Sequence, residues 1–296
     1  MKNLEKLISL FDSFHEAIYV VNTERKILYF NPAAEVISGF LKKEITNSFC
    51  FDNKLNHIDD RGNHLCTNGC PLLKSMEINS TVEAYVYLHH KLGHRVPVHV
   101  RSIPYTEDGV VVGAIEVFTS ENRRDLGLAQ LLAKKDFHYI DQLTGLYNRY
   151  FIEHSLNEML VLSNNIHRAL MFIDIDDFKE VNDTYGHLFG DQILKMISDT
   201  LLVNTRSDDF VIRFGGDEII VVFKVDTIQG AVDYSERIRI LITNSQLRNN
   251  NIAYSPSVSI GITMIKSGET FDLAINRADN AMYHVKKNGK NHVYSI

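Results

Sequence analysis

The first 120 residues carry one helical pattern followed by several strand patterns. Apolar side chains between Leu4 and Phe14 recur at helical spacing and predict an amphipathic helix with one buried face. Short β-branched and aromatic runs follow at 18–30, 82–88, 96–103 and 110–118. Runs of this kind predict strands, here of one antiparallel sheet with flanking helices.

The rest of the chain shows a different arrangement. Residues 121–140 begin with charged side chains and then place apolar ones on one helical stripe, which predicts a connecting helix. Beyond it, strand runs alternate with helical patterns, as in α/β and α+β folds. We therefore predict a first domain at 1–120, a linker helix at 121–137 and a second domain at 138–296.

Composition fits two folded cores and excludes some classes of protein. The chain has 296 residues, of which 45% are hydrophobic and only 5 are proline, so extensive disorder is not expected. A formal charge of -6 argues against a protein that coats nucleic acid. The apolar runs are far shorter than the roughly 20 residues of a membrane span, and no signal-peptide pattern opens the chain. With 3 cysteines, an odd count, these features predict a cytoplasmic protein without membrane insertion.

Acidic residues follow a buried strand in the second domain. The apolar run 169–173 leads directly into Asp174, Ile175, Asp176 and Asp177. Magnesium prefers oxygen ligands and usually keeps water and substrate phosphates around it. A strand end with several carboxylates is therefore a candidate magnesium site, although such ends are often only solvated turns.

A second acidic group follows two glycines between predicted strands. Gly215 and Gly216 separate the runs 210–214 and 219–223, which predicts a tight hairpin. Without Cβ atoms, the glycines allow a ligand to approach the backbone closely, and they place Asp217 and Glu218 at the tip. A Gly-Gly hairpin on its own is often just a turn.

Four motifs in order resemble the GGDEF family of diguanylate cyclases. The residues 215–219 read Gly-Gly-Asp-Glu-Ile, close to the family signature. The segment 141–149 resembles the family opening, and 174–191 resembles its metal and guanine segment. The segment 277–291 resembles its closing helix and strand. The resemblance covers 138 to the C-terminus and implies a central sheet like that of the nucleotidyl cyclase and palm folds.

The resemblance implies a site that condenses two GTP molecules into cyclic di-GMP. It assigns Mg²⁺ or Mn²⁺ to Asp174, the Ile175 carbonyl and Asp217, with Glu218 as a supporting acid. Guanine contacts fall to Asn182 and Asp191, and phosphate contacts to Lys179, Lys286, Lys290 and the backbone at Asp177 and Phe178. Each subunit of the family holds one GTP, so a homodimer is implied.

Two positions depart from the family pattern, and a third position, Asp191, favours GTP over ATP. Ile219 replaces the usual Phe at the start of an apolar strand, where another large hydrophobe should be tolerated. Lys290 stands where Arg is common, which keeps the charge but loses the planar fork. Asp191 can accept the two N–H donors on the edge of guanine, which adenine does not offer.

A possible inhibitory site precedes the glycine hairpin. Arg206 and Asp209 have the spacing of the family's RxxD product site, and Arg237 follows at the matching helix position. Arginine forks suit phosphate and guanine edges, so bound cyclic di-GMP is expected to slow the enzyme. The alternative is a surface ion pair between Arg206 and Asp209 of small energetic value.

The first domain resembles a PAS sensor, less specifically than the second resembles a cyclase. The resemblance rests on the segments 27–40 and 117–120 and covers about residues 8–120. All three cysteines fall here with two histidines nearby, a set comprising Cys50, Cys66, Cys70, His57 and His64. Three thiolates and an imidazole could enclose Zn²⁺, or the cysteines could serve an iron–sulfur or redox centre. They could equally be small core residues, and haem or flavin is also compatible with a PAS fold.

Two other functions remain open at this point. One is a catalytically silent GGDEF module that reports nucleotide binding to a partner. The other is a PAS redox or metal sensor that acts through protein contacts alone.

Overall fold

The computed structural model describes residues 4–52, 54–120, 137–156, 167–249 and 252–296. The chain divides into two compact units, Met1–Asn122 and Arg123–Ile296. The predicted linker helix at 121–137 lies outside the described residues except for its last position. Within the described parts of the chain, no helix combines the length and the apolar character needed to cross a membrane.

The first unit is a five-stranded antiparallel sheet with short helices. In chain order its elements are α1 (Leu4–Phe11), β1 (Ala17–Asn22), β2 (Ile27–Phe30), α2 (Pro32–Ser38), α3 (Lys42–Ile45), α4 (Pro71–Ile78), β3 (Val82–His89), β4 (Arg95–Glu107) and β5 (Val110–Ser120). The strand order is β2-β1-β5-β4-β3. The predicted antiparallel sheet is confirmed, and its core includes Tyr19, Phe30, Leu88 and Phe118.

Asn31 explains why α2 begins where it does. It is fully buried, and its side-chain oxygen accepts hydrogen bonds from Ala34 N at 2.9 Å and Ile18 N at 2.8 Å. An Asn at the N-cap satisfies a backbone donor of the first helical turn, and Pro32 at the next position suits the helix start. The helix ends at Gly39, whose φ of 73° lies in the left-handed region that favours glycine.

The second unit is a six-stranded mixed sheet covered on both faces. Its elements are β6 (Tyr147–Asn148), α5 (Arg149–Phe151), β7 (Arg168–Ile175), α6 (Phe178–Tyr185), α7 (His187–Asn204), β8 (Phe210–Gly215), β9 (Glu218–Lys224), α8 (Ile228–Thr243), β10 (Leu247–Asn249), β11 (Ile252–Tyr254), β12 (Val258–Met264), α9 (Phe271–Lys287) and β13 (Val293–Ser295). The main sheet has the order β13-β12-β7-β9-β8-β6. Its pairs are antiparallel except β12 with β13 and β6 with β8.

Two apolar layers hold the sheet between helices. Helices α7 and α8 pack on one face, where Ile193, Ile197 and Ile238 belong to the larger cluster. Helix α9 and the segment 151–156 cover the other face. Every residue of β7 is buried, so the strand that ends in the acidic motif lies in the middle of the domain.

The predicted helix through Ile140 is wrong at its described end. Phe137–Tyr139 form a 3-10 turn, and Ile140 makes an isolated antiparallel bridge with Tyr147. The chain turns here because Asp141 caps the following loop, accepting hydrogen bonds from Thr144 N at 2.9 Å and Thr144 Oγ1 at 2.7 Å. Helical spacing alone does not show that hydrogen bonds to the Asp141 side chain compete with continuation of the helix.

Candidate active site

The register of the central strands brings the two predicted acidic groups together. Asp174 on β7 pairs directly with Glu218 on β9 and, on its other side, with Ser259 on β12. The side chains of directly opposed residues lie on the same face of a sheet, with Cβ atoms roughly 5 Å apart. Gly216 and Asp217 form the turn before Glu218, and Gly216 has a φ of 50°. The predicted tight hairpin is confirmed.

Burial and mutual repulsion raise the pKa values of Asp174 and Glu218. Desolvation raises the pKa of Asp174 to about 6, with Asp217 and Asp176 adding to the rise and Lys286 opposing it. Desolvation also raises the pKa of Glu218, assisted by the charges of Asp174 and Asp217. A concentration of negative charge in a partly buried site is an arrangement that a cation stabilises.

The contact between Lys286 and Asp174 supplies one such positive charge. Lys286 on α9 makes an ion pair with the Asp174 carboxylate, and both side chains are largely shielded from solvent. Within the described residues, no three His, Cys, Asp or Glu side chains are arranged to hold a metal ion. The opposed oxygen donors nevertheless suit Mg²⁺, which usually binds through one or two carboxylates together with water and substrate phosphates.

The turn between β7 and α6 carries the predicted phosphate contacts. Asp177 has a φ of 56°, an uncommon conformation for a residue other than glycine, and its carboxylate contacts Lys290 Nζ at 2.5 Å. Phe178 and Lys179 begin α6 directly after it, with Lys179 exposed. Lys290 therefore lies beside the turn, although it comes from the far end of the chain.

The two predicted guanine contacts lie at neighbouring positions of adjacent helices. Asn182 is on α6, and Asp191 is on α7 directly after Gly190. A methyl group added at Gly190 would lie 2.0 Å from Asn182 Oδ1 and 3.2 Å from Phe178 Cζ. Gly190 is therefore required for the close approach of the two helices at this point, a role that its position in the motif did not reveal.

Arg213 joins the glycine hairpin to the start of the domain. Its Nε and Nη2 donate to the Gly216 carbonyl at 3.0 and 2.9 Å. Its Nη1 donates to both carboxylate oxygens of Asp141 at 3.1 and 3.2 Å. Sequence reasoning missed this connection, for which the only signal was that Asp141 opens one quoted motif and Arg213 lies two residues before another.

Two of the three predicted inhibitory residues, Asp209 and Arg237, contact Tyr234. The Asp209 carboxylate accepts a hydrogen bond from Arg206 N at 2.8 Å, which fixes the turn before β8, and contacts Tyr234 Oη at 3.5 Å. The guanidinium of Arg237 lies 5.1 Å from the centre of the Tyr234 ring. Arg206 itself is exposed. Asp209 and Arg237 thus both contact the Tyr234 side chain, whereas Arg206 joins them through its backbone N–H to Asp209.

The cysteines of the first unit lie in and around its core. Cys50 is 5% exposed, while Cys66 and Cys70 are partly buried. Desolvation raises the pKa of Cys50, and the nearby Cys66 and Cys70 add to the rise. His57 is also buried, whereas the exposed His64 directs Nδ1 to Asn56 Oδ1 at 3.2 Å. A metal or redox role for this group stays a prediction.

A buried carboxylate that sequence reasoning missed lies in the same unit. Glu116 on β5 is 1% exposed and accepts hydrogen bonds from Tyr19 Oη and Ser102 Oγ, both at 2.7 Å. Its only sequence signal was one acidic residue inside an otherwise apolar strand. Two hydroxyl donors satisfy the carboxylate and connect three neighbouring strands.

Comparison with known families agrees with both units. Residues 138–292 match the model of the diguanylate cyclase GGDEF domain, and residues 5–117 match the model of the PAS fold. The chain therefore belongs to the GGDEF family and carries an N-terminal PAS fold. The predicted mixed α and β architecture, with an antiparallel sheet in the first unit, is confirmed.

Relatives with established names share one or both units. Diguanylate cyclase DosC of Escherichia coli K12 is 34% identical over 181 residues, which is 60% of this chain and 37% of DosC. Probable diguanylate cyclase DgcE of the same strain is 29% identical over 98% of this chain, but that match covers only 26% of DgcE. The chain thus spans about a third or less of the length of these relatives.

A solved structure with the same fold holds c-di-GMP. The GGDEF domain of DgcB from Caulobacter crescentus, in complex with c-di-GMP, aligns with a TM-score of 0.51 and 29% identity. The alignment covers 55% of this chain and 97% of the DgcB domain.

Proposed function

We propose that the chain is a Mg²⁺-dependent diguanylate cyclase that works as a homodimer. The observation that carries the proposal is the register that sets Asp174 opposite Glu218 with Asp217 in the adjoining turn. Asp174, the Ile175 carbonyl and Asp217 would hold the ion, with Glu218 as a supporting acid. When bound, the ion would neutralise charge on the phosphate oxygens as a Lewis acid. The GGDEF family membership and the likeness to a domain that binds c-di-GMP support the same activity.

The reaction joins two GTP molecules through two phosphodiester bonds. In each step the 3′-hydroxyl oxygen of one GTP forms a bond to the α-phosphorus of the other, and the bond to pyrophosphate breaks. The hydroxyl proton passes to a carboxylate, for which Glu218 is suited because its pKa is raised by desolvation and by Asp174 and Asp217. Each subunit positions one GTP, so two subunits must face one another.

The remaining residues bind and orient the nucleotide. Lys179, Lys286 and Lys290 place positive charge where the phosphates of GTP would lie, and charge accumulates on those oxygens in the transition state. The backbone N–H groups of Asp177 and Phe178, at the start of α6, would donate to the same phosphates. Asn182 and Asp191 would read the guanine edge, which selects GTP over ATP.

Incubation with GTP and Mg²⁺ tests the proposal directly. Cyclic di-GMP and pyrophosphate should form in a ratio of one to two, and Asp217→Asn should lower the rate by at least about a hundredfold. Asp226→Asn removes an exposed carboxylate from the loop after β9 and serves as the matched control. A wild-type chain that binds GTP but forms no product would instead identify a silent nucleotide-binding module.

We further propose that cyclic di-GMP inhibits the enzyme by binding at Arg206, Asp209 and Arg237. The exposed Arg206 and the guanidinium of Arg237, which lies over the Tyr234 ring, offer positive charge and planar donor groups for the phosphates and guanine edges of the product. Arg206→Ala should weaken product inhibition at least about tenfold while the initial rate stays the same. Unchanged inhibition in this variant would contradict the proposal.

We also propose that the PAS unit regulates the cyclase. The support is its position before the cyclase unit and the match with DgcE across both units. The first domain at 1–120 would receive the signal, and the linker at 121–137 would transmit it to the cyclase domain at 138–296. Deletion of the first domain should therefore change the rate of cyclic di-GMP formation without removing GTP binding.

A further inference from the structure

Asp176 is a buried carboxylate that has no role in the function proposed so far. It lies directly after β7, is 3% exposed and accepts three hydrogen bonds. The donors are Ser259 Oγ at 2.6 Å, Ser257 Oγ at 2.7 Å and Asn291 N at 3.1 Å. Buried acceptors with this many donors fix the relative positions of the segments that supply them.

The segments that meet at Asp176 are distant in the chain. Ser257 directly precedes β12 and Ser259 is its second residue, while Asn291 belongs to the loop between α9 and β13. The side chain of Asn291 continues the connection, because its Oδ1 accepts from Arg239 Nη1 of α8 at 2.7 Å. Asp176 therefore joins the end of β7 to β12 and to the loop that carries Lys290.

That loop has a backbone conformation which needs external support. Gly289, Lys290 and Asn291 have consecutive positive φ angles of 105°, 61° and 49°. For residues other than glycine, such angles are unfavourable and persist only when surrounding contacts impose them. The bond from Asn291 N to Asp176 is one such contact, and it is made by the residue directly after Lys290.

The loop conformation in turn determines where Lys290 reaches. With the backbone fixed in this form, Lys290 Nζ lies 2.5 Å from Asp177 Oδ1, beside the turn that opens α6. The Lys290 carbonyl also contacts His292 Nδ1 at 2.7 Å. The lysine side chain is 40% exposed, so its place at the turn depends on the ion pair with Asp177 and on the backbone that carries it.

We infer that Asp176 is a positioning residue that holds the loop 289–292, and through it Lys290, at the phosphate end of the nucleotide site. The inference rests on the proposed function, since it assigns Lys290 to the phosphates of GTP. Asp176 itself touches no reacting atom in this scheme. It acts through Asn291 N and the loop backbone.

A double-mutant cycle with Lys290 tests the inference. Asp176→Ala should raise the KM for GTP about tenfold, because it removes the acceptor of a backbone N–H that fixes the loop. Lys290→Ala should raise it by a similar factor, and the double variant should be no worse than Lys290→Ala alone. If the double variant raises the KM by the product of the two single-variant factors, the inference is overturned, because independent sites combine in that way.

Two further variants separate positioning from general destabilisation. Asp176→Asn keeps one carbonyl oxygen that can accept from Ser257 and Asn291, so its KM should return to within about threefold of the wild type. Leu201→Ala removes a fully buried side chain of α7 from the core, and the resulting cavity should lower the melting temperature without changing the KM. If Asp176→Ala does not fold, Asp176→Ser, a smaller polar replacement, takes its place in the cycle.

Equilibrium binding of a non-hydrolysable GTP analogue distinguishes this inference from the proposed function. If the wild type binds the analogue but makes no cyclic di-GMP, the proposed function fails, and the cycle can still be measured as affinities. If the wild type is active and Asp176→Ala binds the analogue as tightly as the wild type, the inference on Asp176 fails alone.

Discussion

At the scale of single residues, the site contains charges that the folded protein disfavours. Asp174 is 9% exposed and lies opposite Glu218, and burial is the largest reason that its pKa rises from 3.8 to about 6. The folded protein therefore binds this proton more tightly than the unfolded chain does. The ionisation of Asp174 therefore lowers the free energy of unfolding as the pH rises from about 4 through about 6.

Asp174→Asn should consequently stabilise the metal-free protein while it removes activity. At pH 8 without divalent ions, we expect the free energy of unfolding to increase by on the order of 1 kcal/mol, because the buried charge is gone. At pH 4 the gain should disappear, since Asp174 is then protonated in the wild type. Denaturant unfolding at the two pH values measures both effects, and a less stable variant at pH 8 would contradict the expectation.

Gly190→Ala should damage nucleotide binding without touching a nucleotide contact. The added methyl group would lie 2.0 Å from Asn182 Oδ1, so Asn182 must move. We expect the KM for GTP to rise about tenfold, comparable with Asn182→Ala. Steady-state kinetics with GTP check this, and a KM equal to that of the wild type would show that the helices can separate at no cost to binding.

Cys50 should be the slowest cysteine to react with alkylating agents. It is 5% exposed, and burial raises the pKa of its thiol, which lowers the amount of reactive thiolate at neutral pH. Iodoacetamide at pH 7.5 should label Cys70 before Cys50, as read by mass spectrometry of digested protein. In 8 M urea all three cysteines should label at similar rates, which provides the control.

At the scale of elements, local patterns could be predicted and long-range register could not. The apolar run of β7 and the glycine pair before β9 were visible in the sequence, so both strands and the hairpin were predicted. The contacts that complete the site join residues far apart, 72 positions for Arg213 with Asp141 and 115 for Asn291 with Asp176. No periodicity within one element specifies such pairs, because they depend on which strands become neighbours.

Arg213 shows how one element depends on another. Its guanidinium connects the Gly216 carbonyl to the Asp141 carboxylate, so it holds the turn that carries Asp217. Arg213→Ala should lower kcat at least about tenfold with a smaller change in the KM, because the turn loses its support. Arg213→Lys should not restore the rate, since an ammonium group lacks the planar fork. Kinetics that match the wild type in the lysine variant would show that charge alone is sufficient.

At the scale of the whole molecule, the two units each have a separate apolar core. A cyclase that needs one GTP from each of two subunits cannot work as an isolated copy. We therefore expect excess Asp217→Asn protein to inhibit the wild type when the two are mixed and allowed to exchange subunits. The rate of cyclic di-GMP formation measures this, and Asp226→Asn added in the same amount is the control. Activity unaffected by the inactive variant would show that copies act independently.

The pairing of β7 with β9 also limits how this gene can vary. Side chains alternate between the two faces of a strand, so one residue inserted or deleted within 219–224 would shift the start of β9 by one position relative to β7 when the end of β9 keeps its pairing. Ile219 or Asp217 would then stand opposite Asp174, and the apolar side chains of β9 would exchange faces with their neighbours. Catalysis and folding would be lost in the same event, so substitutions can accumulate around this hairpin while changes in its length cannot.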